Sequence, residues 1–195
     1  VKDFSDRSGS SEITKLDGFS SIDGKVYNAE QAIRLASGNT DGSITTQPLD
    51  LSQNFHIIVT ACGWDSGELI MTVSAGEQKN ITLTTYGAGQ KPGTWKDYVI
   101  NFDPVGPTAS VQFSAIAENR YYIQKIQILE GHAELTPVLS ATNPDEMSAE
   151  GGEGSFTYTL SNPKDGKVSA TVNVDWIENL AVNQEAKTVS YNVAE

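Results

Sequence analysis

The chain has 195 residues, of which 38% are hydrophobic, 8% aromatic and only 19% charged, and its 25 acidic residues outnumber 13 basic ones for a net charge of −12. That length holds one large domain or two small ones, each with its own core. With no cluster of more than two Lys or Arg, nucleic acid and anionic membrane surfaces would meet net repulsion and are not expected as partners, and no run of 18 apolar residues is present for membrane insertion.

In chain order, residues 1–30 are polar and rich in turn formers, with short apolar pieces at Ile13–Leu16 and Phe19–Ile22. Ala29-Glu30-Gln31-Ala32 reads as one helical turn within irregular chain. From Ala32 the hydrophobic period is two, the signature of strands with one buried face. Ile33 and Leu35 flank Arg34, and Gly38-Asn39-Thr40-Asp41-Gly42 is a tight connection to a short strand at Ser43–Thr46. Phe55, Ile57, Val59 and Ala61 alternate with His56, Ile58, Thr60 and Cys62; both sets are fairly apolar, as in an interior strand. Asp65-Ser66-Gly67 turns the chain into Leu69–Ser74, and Ala75-Gly76-Glu77 turns it again into Ile81–Thr85. A glycine-rich loop, Gly87–Gly93, leads to Tyr98, Ile100 and Phe102, after which Pro104 and Pro107 are predicted to break the pattern. Val111–Ala115 and Tyr121–Leu129 close the series. About eight or nine short strands with turn signals between them, and no helical period, predict a β-sandwich or jelly roll.

The composition shifts between Gly131 and Asp145, where Thr136-Pro137 and Asn143-Pro144 leave little alternation beyond Val138-Leu139. This divides the chain into segments 1–132 and 133–195, with Leu135–Ala141 available as the first strand of the second. A turn at Gly151–Gly154 then opens the alternating run Phe156-Thr157-Tyr158-Thr159-Leu160. After a turn at Asn162-Pro163-Lys164-Asp165-Gly166 comes a second run ending in Asp175-Trp176-Ile177, and Thr188–Glu195 is a third.

Two family resemblances rest on these residues. The order Ile33–Leu51, Trp95–Phe102 and Arg120–Ile128 resembles galactose-binding-like jelly rolls. Relatives often carry Asp where this chain has Gln124, so an acidic ligand at that spot is not carried over. The glycine-rich opening at Gly151, the Asn162–Gly166 turn, the Trp176-Ile177 pair and the closing Val189-Ser190-Tyr191-Asn192-Val193 resemble the BACON domain, a carbohydrate-associated immunoglobulin-like module of the Bacteroidetes. Together they imply an all-β chain: a jelly-roll β-sandwich, galactose-binding-like, followed by an immunoglobulin-like sandwich. The BACON resemblance also implies that the second sandwich is incomplete at Glu195, with an open edge. Both families are generally non-catalytic, and both occur in secreted or outer cell surface proteins.

The chemistry-bearing residues agree with a non-enzyme. Nucleophilic catalysis needs a Ser, Cys or Thr beside a base. The two histidines are His56, inside a predicted strand, and His132, in the linker, and no G-x-S-x-G sequence occurs. Cys62 lies in the run Ile57–Cys62 and reads as a small buried hydrophobe. Two distant histidines and one cysteine do not make a zinc site, and no sequence logic selects a glycosidase carboxylate pair from 25 acidic residues. No cofactor is expected beyond a structural calcium, for which Asn39 and Asp41 are the candidate ligands; both residues serve equally well as turn formers.

Glycan binding needs aromatic faces and hydroxyl-bonding side chains. Trp64 ends a strand, Tyr86 and Trp95 flank the Gly87–Gly93 loop, and Gln90 and Asp97 lie close by. If these five bind sugar, Trp64 and Trp95 should be solvent-exposed on one face. The competing expectation is that both tryptophans cap the core, and Trp176 is expected to pack in the core of the second domain. The resulting expectation is an accessory region that binds glycan weakly through its first domain. The second domain would serve as spacer or adhesion module, with a downstream domain of the same polypeptide carrying any catalysis. The alternative is a purely structural spacer.

Overall fold

The computed structural model describes residues 1–134, 137–144, 150–161 and 166–194. Its described elements are all strands, and internal contacts divide the chain into two units, Val1–Ala133 and Glu134–Glu195.

The first unit opens with β1 (Lys2–Asp3), β2 (Phe19–Gly24), β3 (Val26–Ala29), β4 (Ala32–Leu35), β5 (Gly42–Thr46) and β6 (Leu49–Leu51). It continues through β7 (Phe55–Gly63), β8 (Ile70–Ala75), β9 (Glu77–Thr82), β10 (Lys96–Phe102), β11 (Gly106–Ala109), β12 (Gln112–Ala115) and β13 (Tyr121–Glu130). One sheet has the order β10-β7-β13-β4-β3, with β1 also paired to β13; the other is β2-β5-β12-β8-β9. β6 and β11 form a separate ribbon. All of these pairings are antiparallel.

The period of two explains what fills the space between the sheets. Strand β7 sends Phe55, Ile57, Val59 and Ala61 inward, where they meet Ile44, Met71, Val73 and Phe113 of the second sheet in one buried cluster. Each of the Val, Ile, Met and Phe side chains among these contributes roughly 1.5–3 kcal/mol through burial. Tyr121 ties the layers together, donating its hydroxyl hydrogen to the Ser114 carbonyl at 3.0 Å. In β13 the register shifts between Ile123 and Lys125. This bulge resets the alternation, so that Tyr121 and Ile123 before it and Ile126 after it all reach the core.

At one corner the chain passes between sheets twice. The Lys25 amide donates to the Asp41 carbonyl and the Ala36 amide to the Lys25 carbonyl, each at 2.8 Å. Gly42 sits in this crossing, where a Cβ would run into the Lys25 carbonyl and the Ala36 amide.

Two sequence expectations are corrected in this unit. Ala29–Ala32 is a tight hairpin turn, not a helical one: Ala29 pairs with Ala32, and Gln31 takes a left-handed φ of 57°. Four residues of helix-compatible composition cannot outweigh the ladder between their flanking strands. Pro107 does not interrupt structure; it lies within β11, whose pairing with β6 runs through Gly106 and Ala109. A two-stranded ribbon leaves room for a residue without an N–H.

The second unit consists of β14 (Val138–Ala141), β15 (Gly152–Ser161), β16 (Ile177–Asn183) and β17 (Thr188–Val193), in one antiparallel sheet of order β14-β15-β17-β16. Among the described residues its buried apolar side chains are Tyr158, Val189 and Tyr191. The run expected to end at Ile177 is irregular instead, and Ile177 begins a strand. Gln184 supplies a reason: its amide oxygen accepts from the Val168 N–H at 3.1 Å and its amide nitrogen donates to the Val168 carbonyl at 2.6 Å. Those are the groups a ladder would use. Trp176, expected in the core, is 54% exposed; so few described side chains are buried here that no packed layer receives its ring. The Asn162–Gly166 turn falls almost wholly outside the described residues.

Candidate functional site

The outer face of the β10-β7-β13-β4-β3 sheet carries an aromatic and cationic patch. Cross-strand register places Tyr27, Arg34, Tyr122 and Cys62 side by side on four neighbouring strands. Tyr122 and Cys62 are buried there with Ala29, Ala32 and Trp64, and Trp95 packs against the cluster while half-buried.

The loop after Tyr86 covers this cluster. Gly63 and Tyr86 form a parallel bridge, with Gly63 N–H donating to Thr85 and Gly87 N–H donating back to Gly63. Gly89 N–H donates to the Trp64 carbonyl at 3.1 Å, and Tyr122 donates its hydroxyl hydrogen to the Gly89 carbonyl at 2.6 Å. Position 93 must be glycine for the loop to close, because a Cβ there would collide with the Tyr86 carbonyl. Beneath the loop, burial pushes the Cys62 thiol up to about 11, only partly offset by a Gly93 backbone hydrogen bond. Burial likewise raises the Tyr122 hydroxyl. Both groups stay neutral at physiological pH.

The candidate residues take different positions. Trp64 is 9% exposed, stacked on Tyr122 at a centroid distance of 5.7 Å, with the Arg34 and Arg120 guanidinium carbons 4.7 and 4.4 Å from its ring centroid. It is a packing residue, not an open platform. Tyr86 is 50% exposed. Gln90 and Asp97 are exposed, and Asp97 accepts a 2.6 Å hydrogen bond from the Thr60 hydroxyl. Tyr86, Gln90 and Trp95 thus lie along one loop, with Asp97 at the start of β10, while Trp64 lies under the loop. Asn39 is exposed, and Asp41 accepts from the Ala117 N–H at 2.7 Å. Among the described residues no group of three or more His, Cys, Asp or Glu side chains converges to hold a metal.

Arg34, Arg120, Glu68, Tyr27 and Tyr122 were not singled out from sequence. Glu68 is buried and takes Arg120 through Nε at 2.6 Å and through Nη2, and also accepts the Arg120 backbone N–H at 2.7 Å. This carboxylate raises the Arg120 guanidinium. Arg34 is different. Its guanidinium lies 4.2 Å from the Tyr27 ring centroid, and burial lowers its affinity for the proton. Its Nε is buried without a hydrogen-bond partner among the described residues. Only the alternation of Arg34 with Ile33 and Leu35 marked it in the sequence as outward-facing.

A half-open cleft of about 520 Å³ lies elsewhere in the unit, between the ends of β2, β5, β6 and β13. Its aromatic side chains, Phe19 and Phe55, are buried. It presents a sugar with no ring face, so the outer-face patch is the better candidate despite its shallower shape.

No protein family matches this sequence, and no curated protein matches it. Among solved structures the chain is similar to one described as "BiXyn10A CBM1 APO", at 12% identity and a TM-score of 0.41, over 67% of this chain and 96% of that one. It is also similar to the K1 cleaved adhesin domain of Lys-gingipain from Porphyromonas gingivalis W83, at 14% identity and a TM-score of 0.40, with the same coverage of 67% and 96%. The adhesin domain of Epf from Streptococcus pyogenes shares 13% identity at a TM-score of 0.32, over 89% of this chain and 64% of that one. At such likeness none of them assigns an activity to this chain.

Proposed function

We propose that the first unit is a non-catalytic glycan-binding module of a secreted or outer cell surface protein. The observation that carries this reading is the half-exposed Tyr86 ring on the same loop neck as the half-buried Trp95, with Gln90 and Asp97 exposed beside them. An aromatic edge flanked by amide and carboxylate groups is the chemistry that stacks on sugar rings and bonds their hydroxyls. The loop carrying these groups is fastened to the sheet at Gly63, Trp64 and Tyr122, so little ordering is needed on binding. A downstream domain would carry any catalysis, and the second unit, through its BACON resemblance, would act as spacer or adhesion module.

Affinity electrophoresis of the whole chain against a panel of neutral polysaccharides tests the reading. Retardation by at least one polymer is expected, weakened about fivefold or more by Trp95→Ala or Tyr86→Ala in protein whose circular dichroism is unchanged. Absence of retardation across the panel, together with none on the acidic glycans described below, would favour the spacer reading.

A further inference from the structure

We propose that Arg34 forms an anion-recognising subsite of this glycan site, and that the ligand is a sugar bearing a carboxylate or a sulfate. The inference rests on the glycan reading and specifies its substrate class.

The chain has nearly twice as many acidic as basic residues, so a partly buried cation should find a carboxylate with ease. Arg120, its neighbour across the Trp64 ring, does find one, and Glu68 engages it at two nitrogens. Arg34 does not. None of the ion pairs among the described residues includes it, and its Nε is buried without a partner. Its surroundings are the rings of Tyr27 and Trp64, which stabilise the positive charge from their faces and accept no directed N–H bond. The sealed Nε cannot itself meet a ligand, but an anion bonded to the solvent-facing nitrogens of the guanidinium would compensate the charge. The residue is only partly buried, so part of it reaches solvent.

The position fits the proposed site. Trp64 links the two: Arg34 lies over its ring, while Gly89 of the loop donates to its carbonyl. Trp95 packs on the same cluster as Trp64 and Tyr122. Arg34 on β4 lies three strands from β10, so a glycan chain resting on the Tyr86–Trp95 loop, and not a single sugar, would span from the loop to it. The net charge of −12 does not decide against an anion, because charges beyond about 8 Å are largely screened at physiological ionic strength. Close by, Glu68 is hydrogen-bonded to Arg120 and acts on Arg34 only through space, so Arg34 has no directed anionic partner among the described residues. A guanidinium also suits a carboxylate or sulfate, whose paired oxygens match its fork.

The experiment uses paired polymers and the whole chain: polygalacturonate against its methyl-esterified form for the carboxylate, and a sulfated galactan against its desulfated form for the sulfate. We expect one acidic member to bind about tenfold or more tightly than its neutral partner, with affinity falling as salt rises. Arg34→Gln should bring the affinity for the acidic member down to that for its neutral partner. Arg34→Lys, which keeps the charge but not the fork, should lose most of the difference, and covers the case in which the Gln variant is unstable. Equal binding of acidic and neutral forms, abolished by Trp95→Ala and untouched by either Arg34 variant, would overturn the anion subsite and leave the glycan site standing. No binding to any polymer, acidic or neutral, would overturn both.

Discussion

On the inner side of β7 stand Phe55, Ile57, Val59 and Ala61, packed against the opposing sheet; on its outer side Cys62, and just past the strand Trp64, are covered by a loop. The same strands make both surfaces, yet one is closed by a second sheet and the other by the Gly87–Gly93 segment. The inner face depends on volume and apolar area. The outer face depends on a handful of hydrogen bonds and on two cations resting against aromatic rings. Function is easier to place on the second kind of surface, because its cover can differ without disturbing the core.

This contrast can be broken by measurement. Phe102, buried on the inner face and stacked on Phe55 at 5.3 Å, should cost about 3–5 kcal/mol when replaced by Ala, read as a lower denaturant midpoint for the first unit. On the outer face, Tyr122→Phe removes only the bond to Gly89 and should cost about 0.5–1.5 kcal/mol. Its main effect should be faster hydrogen exchange at Gly89 and its neighbours. If the Phe variant destabilises the unit as much as Phe102→Ala does, the division between the faces is wrong.

Cys62 reports on the cover itself. With burial holding its thiol at about 11, the thiolate is scarce at pH 8, and the pKa lies above that of an exposed cysteine. Labelling by a thiol reagent should therefore be on the order of a hundredfold slower in the folded protein than in denaturant, rising only as the pH approaches the raised value. Tyr122→Phe should speed it. A native rate equal to the denatured one would mean that the loop does not cover the sheet.

Much of the first unit was legible because its physics is local. Alternation over Phe55–Ala61, Tyr98–Phe102 and Val111–Ala115 marks inner faces without knowledge of partners. The Ala29–Ala32 turn was misread because its residues favour a helix locally, while the hairpin is set by strands on either side. The patch was only half legible. Tyr86 and Trp95 flank a glycine loop that any reader can see. Trp64 looked equally available, but its burial depends on Tyr122, Arg34 and Arg120, brought to it by strand order and bulge. That Arg34 has no ion-pair partner among the described residues is a property of three-dimensional neighbours and leaves no mark in sequence. In the second unit, the run read as ending in Asp175-Trp176-Ile177 is instead irregular chain, which Gln184 helps hold at Val168.

The double crossing at Lys25, Ala36 and Asp41 gives the first sandwich a spine. Strands β2 and β5 both start or end there, at Gly24 and Gly42, and their other ends, Phe19 and Thr46, border the 520 Å³ cleft. The two sheets are therefore joined through backbone at one margin, like a book held by its back, and through side chains at the other, where Lys2 of β1 pairs with Asp17 at 2.8 Å. Sequence change near the spine is felt by both leaves at once, since the backbone contacts there leave no room even for the Cβ of alanine at position 42. At the fore-edge, where side chains make the join, substitution should be better tolerated than at the spine.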